Sequence, residues 1–137
     1  LLLVGDGELH AVIEKKIRTL GLENAVIMTG VVSNVEDYMA AMDIFVFPSH
    51  YEGLSTVNVE AQVNGLKCLV STSVPKEVSL APEQVEFLSL SDRNPWLREL
   101  EKATKGSRQN GVAAMKNRYY DIGKAVKWAE REYSLGG

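Results

Sequence analysis

The chain has little of what several protein classes require. Of its 137 residues one is cysteine, so neither an internal disulfide nor a cysteine metal cluster can form, and a reducing compartment is the natural reading. That residue, Cys68, lies inside the apolar run Lys67-Cys68-Leu69-Val70 and reads as core. No apolar stretch approaches the roughly 18 residues of a membrane-spanning helix. There are two histidines, His10 and His50, with no neighbouring pattern of ligands, so no metal site is expected. Nor is there a basic excess: 15 Lys and Arg against 18 Asp and Glu give a net charge of −3, which argues against general nucleic-acid binding. Internal repeats and long linkers are absent as well. What remains, at 45% hydrophobic and 24% charged residues, is the composition of one ordinary globular domain over residues 1–137.

Charge is unevenly spread along that domain. Residues 1–90 hold 5 basic and 12 acidic side chains, and residues 91–137 hold 10 and 6. The cationic tail, with Lys116, Arg118, Lys124, Lys127 and Arg131, reads first as a solvated helix face and second as a candidate for peripheral contact with an anionic membrane. Leu1-Leu2-Leu3-Val4 has neither initiator Met nor signal pattern and reads as an interior strand, so an excised piece of a longer protein, lacking its first β-α unit, is expected.

Short apolar runs alternate with helical patterns. The runs at residues 1–4, 25–28, 44–47, 68–70 and 85–88 are continuously apolar, as parallel strands covered on both faces are. Between the first two, Leu9, Val12, Ile13, Ile17 and Leu20 repeat at helical spacing, with Asp6 as the expected N-cap and Gly21 just past the end. Asn34 is placed to cap a second helix with Asp37 three residues on, its stripe formed by Val35, Tyr38, Met39 and Met42. Residues 56–64 read as helix despite Val57 and Val59, since they sit between two strands and stop at Gly65. Residues 95–105, 110–120 and 122–133 read as successive helices packing over one edge of the sheet, with Trp96, Trp128, Tyr119 and Tyr120 as packing residues. The fold class is α/β: a Rossmann-like, open, mostly parallel sheet (residues 1–90) with helices on both faces and a helical tail (residues 91–137).

In such sheets ligands bind beyond the carboxyl ends of the strands, so the loops there are the places to search. The first is Gly5-Asp6-Gly7, whose two glycines let a backbone approach a ligand. The second, at residues 29–34, contains Val31 and Val32 and leads into a helix. The third, Pro48-Ser49-His50-Tyr51-Glu52-Gly53-Leu54-Ser55-Thr56, sets an acid, a glycine and small hydroxyl residues before a helix start, where N–H groups and the positive end of the dipole suit a phosphate. Glu60 follows eight residues after Glu52, on the same helix face as Thr56 and Val57. Carboxylates accept and sugar hydroxyls donate, so a sugar nucleotide would satisfy both features of this loop, whereas on composition alone both glutamates would be solvated. His50 reads as a surface residue. A glycosidase pair of Glu52 and Glu60 has no support from facing geometry.

Glu52-Gly53-Leu54 running to Glu60-Ala61-Gln62, between Asp43-Ile44-Phe45-Val46-Phe47-Pro48-Ser49 and Gly65-Leu66-Lys67-Cys68-Leu69-Val70-Ser71, resembles the carboxyl-terminal domain of retaining GT-B glycosyltransferases, above all bacterial capsular and exopolysaccharide enzymes. Leu3-Val4-Gly5-Asp6-Gly7, Thr29-Gly30 with Asn34-Val35, and Val74-Pro75-Lys76-Glu77-Val78 extend the likeness over residues 1–90. The resemblance implies transfer of a hexosyl group, with retention, from a nucleotide diphosphate sugar of the UDP type to a polysaccharide or lipid-linked acceptor. It implies no metal and no cofactor, and a cytoplasmic enzyme working at the inner face of the membrane. Glu52 would contact the transferred sugar as the catalytic carboxylate and Glu60 the ribose. Backbone N–H groups of Gly53, Leu54, Ser55, Thr56 and Val57 would receive sugar hydroxyls and diphosphate, Val31 and Val32 would border the base, and Gly5 and Gly7 would line the donor site. Ser55 departs from the family, where Pro is common. The basic pair that neutralises the diphosphate, and the acceptor domain, are expected upstream of Leu1, leaving this chain inactive alone. The alternatives are a GT-B-fold sugar-nucleotide epimerase and a noncatalytic assembly domain.

Overall fold

The structure, a computed structural model, describes residues 1–102. It is α/β throughout, with every strand pair parallel, and the chain divides into two compact units, Leu1–Tyr38 and the residues from Met39 onward.

The first unit contains β1 (Leu2–Leu3), α1 (His10–Thr19) and β2 (Ile27–Met28), with β1 and β2 paired in the register Leu2↔Ile27 and Leu3↔Met28. The helix ends where Gly21 predicts. Gly21 takes φ +64°, its N–H donates to Arg18 O at 3.1 Å, and the Leu22 N–H reaches Ile17 O at 3.0 Å, two bonds that occupy carbonyls the helix leaves open. Its start is a correction. Asp6 does not cap α1: the helix begins at His10 with Leu9 at the N-cap and no side-chain cap bond. The Asp6 carboxylate instead accepts from the Gly7 N–H at 2.7 Å. Coverage on both faces also fails here, since Ile27 is 65% exposed and α1 buries none of its residues.

α2 (Val35–Ala41) follows Asn34, whose Nδ2 donates to Asp37 Oδ2 at 2.8 Å, and of the expected stripe Met39 is buried. The second unit then carries β3 (Ile44–Phe47), α3 (Thr56–Val63), β4 (Lys67–Ser71), β5 (Val85–Leu88) and α4 (Asn94–Lys102), with short 3₁₀ turns at Lys76–Val78 and Pro82–Gln84. The sheet order is β3-β4-β5, in the register Phe45↔Cys68↔Val85 and Val46↔Leu69↔Glu86. As the middle strand, β4 does meet the expectation of two covered faces. Leu69 joins Leu88 and Trp96 in the core beside Ile44, Val46 and Leu90, while Cys68 and Val70, pointing the other way by strand alternation, are fully buried too. Each such aliphatic burial contributes roughly 1.5–3 kcal/mol.

Trp96 packs as expected, and its indole N–H donates to Ser89 O at 2.8 Å, so the ring buries without an orphaned donor. α3 ends at Gly65 (φ +78°), where the Gly65 and Leu66 N–H groups bond Gln62 O and Ala61 O at 2.9 and 3.1 Å. The helices expected at residues 110–120 and 122–133, with Trp128, Tyr119, Tyr120 and the basic tail, lie outside the described residues.

Candidate functional site

The loop after β3 forms because Pro48 ends the strand and residues 53–55 must turn the chain into α3. Phe45 and Phe47, on one face of β3, stack at 5.8 Å and carry the strand to that point. Inside the loop, Ser49 Oγ lies 3.0 Å from both Tyr51 O and Glu52 Oε1, closing a small turn that holds the carboxylate of half-buried Glu52. His50, Tyr51, Gly53 and Leu54 are exposed.

Ser55 is the N-cap of α3, with extended backbone (φ −77°, ψ 102°), yet its hydroxyl does not cap the helix. It is buried and accepts from Asn58 Nδ2 at 2.9 Å. Since the first-turn N–H groups of a helix have no intrahelical acceptor and no side chain caps them here, they point out of the helix end as donors. Thr56 and Glu60 are exposed and Val57 half-buried, in line with their shared outward face. Asn58, Ala61 and Gln62 form the inward face.

That inward face is polar, which sequence reasoning missed. Gln62, 1% exposed, donates from Nε2 to Asn58 O (2.9 Å) and Val78 O (2.8 Å), and its Oε1 accepts from the Leu80 and Ala81 N–H groups at 2.8 and 3.1 Å. One amide therefore fastens the segment after β4, where Val74-Pro75-Lys76-Glu77-Val78 runs, to the helix that carries Glu60. Asn58 Oδ1 is buried without a hydrogen-bond partner. A glutamine flanked by Ala61 and Val63 in a helix between two apolar strand runs was the available signal for an inward polar contact. For Ser49 the signal was a hydroxyl three residues before a carboxylate.

In the first unit, the Gly5 N–H donates to Gly30 O at 3.0 Å in an isolated antiparallel bridge, with φ of +119° and +66° at the two glycines. The bridge brings Gly5 beside the loop of Val31, 83% exposed, and half-buried Val32. Gly7 gives its N–H to Asp6. Asp6 Oδ1 also meets His10 Nδ1 at 2.9 Å, and the Gly7 N–H, then His10, hold the Asp6 carboxyl below its ordinary value. The N–H groups of Gly5 and Gly7 are thus engaged within the protein, and what these glycines offer a ligand is backbone clearance. A Cβ at either would meet no atom within 4 Å, so space there is open and only the positive φ of Gly5 requires glycine.

Among the described residues no three His, Cys, Asp or Glu side chains gather as metal ligands, and no helix is long and apolar enough to cross a membrane. Cys68 is buried on β4, and burial pushes its thiol up to about 12.

The sequence is 38% identical over 109 residues to EpsF of Bacillus subtilis (strain 168), covering 79% of this chain and 28% of that protein. It is 31% identical over 104 residues to the UDP-Gal:alpha-D-GlcNAc-diphosphoundecaprenol alpha-1,3-galactosyltransferase of Escherichia coli, covering 74% and 27%. The chain thus spans little more than a quarter of these relatives. In fold it matches Anabaena Alr3699/HepE, solved in complex with UDP, at a TM-score of 0.74 and 22% identity, over 97% of this chain and 40% of that one. The model of the family "Glycosyl transferases group 1" matches residues 1–95, which include every loop described above, and the chain belongs to that glycosyltransferase family.

Proposed function

We propose that this chain is the donor-binding domain, over residues 1–137, of a glycosyltransferase that moves a hexosyl group from a UDP-sugar, with retention, to a polysaccharide or lipid-linked acceptor held by another part of the intact protein. The carrying observation is the β3–α3 loop. A carboxylate steadied within the loop, an N-terminal helix end without a side-chain cap and a second, exposed carboxylate on that helix follow one another in the nine residues from Glu52 to Glu60. Glu52 accepts hydroxyls of the transferred sugar. Main-chain N–H groups of Gly53, Leu54, Ser55, Thr56 and Val57 take the diphosphate and sugar oxygens, where their dipoles stabilise charge developing on the leaving group. Glu60 accepts from the ribose, Val31 and Val32 border the base, and Gly5 and Gly7 give clearance. The reaction needs no metal among these groups, and the enzyme works in the cytoplasm at the inner membrane face, the basic tail being first a solvated helix face and second a peripheral contact with anionic lipid. The UDP-linked donor and diphosphoundecaprenol acceptor in the name of the Escherichia coli relative, and the UDP complex of HepE, support this choice of ligand class.

Steady-state kinetics with UDP-sugars on the intact protein test the reading. Replacing a charged acceptor to a hydroxyl costs about 1.5–3 kcal/mol, or roughly 10- to 150-fold. Glu60→Gln raises the donor KM by that factor, and Glu52→Gln lowers kcat by it. Near-wild-type constants in both variants would return the two glutamates to a solvated surface, and exchanged effects would reverse their roles.

A further inference from the structure

Ser49 is not part of the donor site proposed above, yet it touches the residue on which that site depends. Its Oγ has two acceptors within reach, Tyr51 O and Glu52 Oε1, each at 3.0 Å. A hydroxyl carries one proton, so the bond to the carboxylate is made in competition with, or shared with, the bond to the main chain. The neighbouring side chains offer Glu52 no comparable hold: His50 is exposed and Tyr51 is 86% exposed. A glutamate on a surface loop otherwise samples many rotamers, and ordering it on substrate binding carries an entropic cost.

We propose that Ser49 is a positioning residue, which holds Oε1 of Glu52 before the donor arrives and presents Oε2 to a hydroxyl of the transferred sugar. The inference rests on the role given to Glu52 above. Preorganisation of an acceptor acts where its contact is strongest, in the transition state, so the effect belongs in kcat. The competing account is that Ser49 closes the turn onto Tyr51 and shapes the loop whatever occupies position 52.

A double-mutant cycle on the intact protein, with donor kinetics for each variant and thermal melts to establish equal folding, separates these accounts. Ser49→Ala is expected to lower kcat about 5- to 20-fold with the donor KM changed less than about twofold, as for loss of one hydrogen bond to a charged group. Ser49→Thr, which keeps the hydroxyl, is expected to recover kcat to within about threefold of wild type. In a Glu52→Ala background, adding Ser49→Ala should cost less than about twofold, because the group it positions is gone. The same 5- to 20-fold loss (about that seen alone) in the Glu52→Ala background, or a rise in KM with kcat unchanged, overturns the positioning role in favour of loop closure. A harmless Ser49→Ala beside a damaging Glu52→Ala overturns it while leaving the Glu52 reading intact. A wild-type kcat in Glu52→Ala overturns both.

Discussion

α1 and α3 are built by the same local grammar and come to opposite ends. Each follows a strand and a glycine-bearing loop, each starts without a side-chain cap, and each stops at a positive-φ glycine with the same pair of backbone bonds. Yet α1 buries nothing: Leu9, Val12 and Leu20 on its apolar stripe are 65%, 61% and 58% exposed. α3, with three large apolar residues as in α1, buries Asn58, Ala61 and Gln62. Termini are thus fixed by a few neighbouring residues, whereas burial is decided by what the helix packs on. α3 lies against β4, which is buried from Cys68 to Ser71. α1 belongs to a unit whose sheet is two strands of two residues each, too small to cover an amphipathic helix.

The sharpest way to break that contrast is chemical access to the strands. Cys68 on β4 is fully buried, and its thiol, at about 12 against an ordinary 9.0, has a thiolate population lowered about a thousandfold at neutral pH. Native-state labelling by a disulfide reagent should therefore run at least about a thousandfold slower than after denaturation. Ile27→Cys, on β2, should label within about tenfold of a free thiol, since that position is open to solvent. Fast labelling of native Cys68 would show that β4 opens readily and would dissolve the distinction.

Next in size is the inward face of α3. Gln62→Leu strands the Val78 carbonyl and the Leu80 and Ala81 N–H groups in a buried setting, at a cost of about 3–5 kcal/mol. Val12→Ser on the exposed stripe of α1 should change stability by less than about 0.5 kcal/mol. Urea unfolding of the two variants measures both. A mild Gln62→Leu would mean that water replaces the amide, and a costly Val12→Ser would mean that the α1 stripe is covered in solution.

These two sites also mark what the sequence could disclose. Strands β3 and β5 stand at residues 44–47 and 85–88, as their apolar runs imply, and α3 forms despite Val57 and Val59 because its strand neighbours and Gly65 outweigh weak propensities. The loop motif around Glu52 and Glu60 was legible because glycine, acid and hydroxyl residues before a helix constrain the chemistry available there. Partners that depend on folding were not legible. Asp6 looks like a cap, but it accepts from Gly7, and α1 starts three positions beyond where a cap at Asp6 would begin it. Gln62 looks like a surface residue until the segment around Val78 and Leu80 is brought against it. The apolar runs of β1 and β4 look alike, and their neighbours alone separate half-buried Leu2 and Leu3 from the fully buried Leu69.

The smallest expected effect distinguishes the charges of the two units. Arg18 and Glu14 pair at 3.1 Å within one turn of α1, a contact that ties no element to another. Glu99 on α4 instead takes Lys67 Nζ from the start of β4 at 2.6 Å, and Lys102 Nζ at 2.7 Å, linking helix to strand. Lys102 and Lys67 together hold the Glu99 carboxyl down to about 2 from an ordinary 4.5. A carboxylate depressed in the folded state binds fewer protons there than in the unfolded chain. Its contribution is therefore fully present above the ordinary value and is lost as pH falls from there through about 2. Because the pair is accessible to solvent, the contribution is modest and weakens with salt. Glu99→Gln should lower the urea midpoint slightly at neutral pH and flatten its decline between about pH 5 and pH 2, with the difference from wild type shrinking at high ionic strength. Glu14→Gln should leave the profile of the sheet unit unchanged. If Glu99→Gln and wild type fall in parallel across that acid range, the link between α4 and β4 contributes nothing in solution, and the burial of Trp96 in the core is what anchors α4.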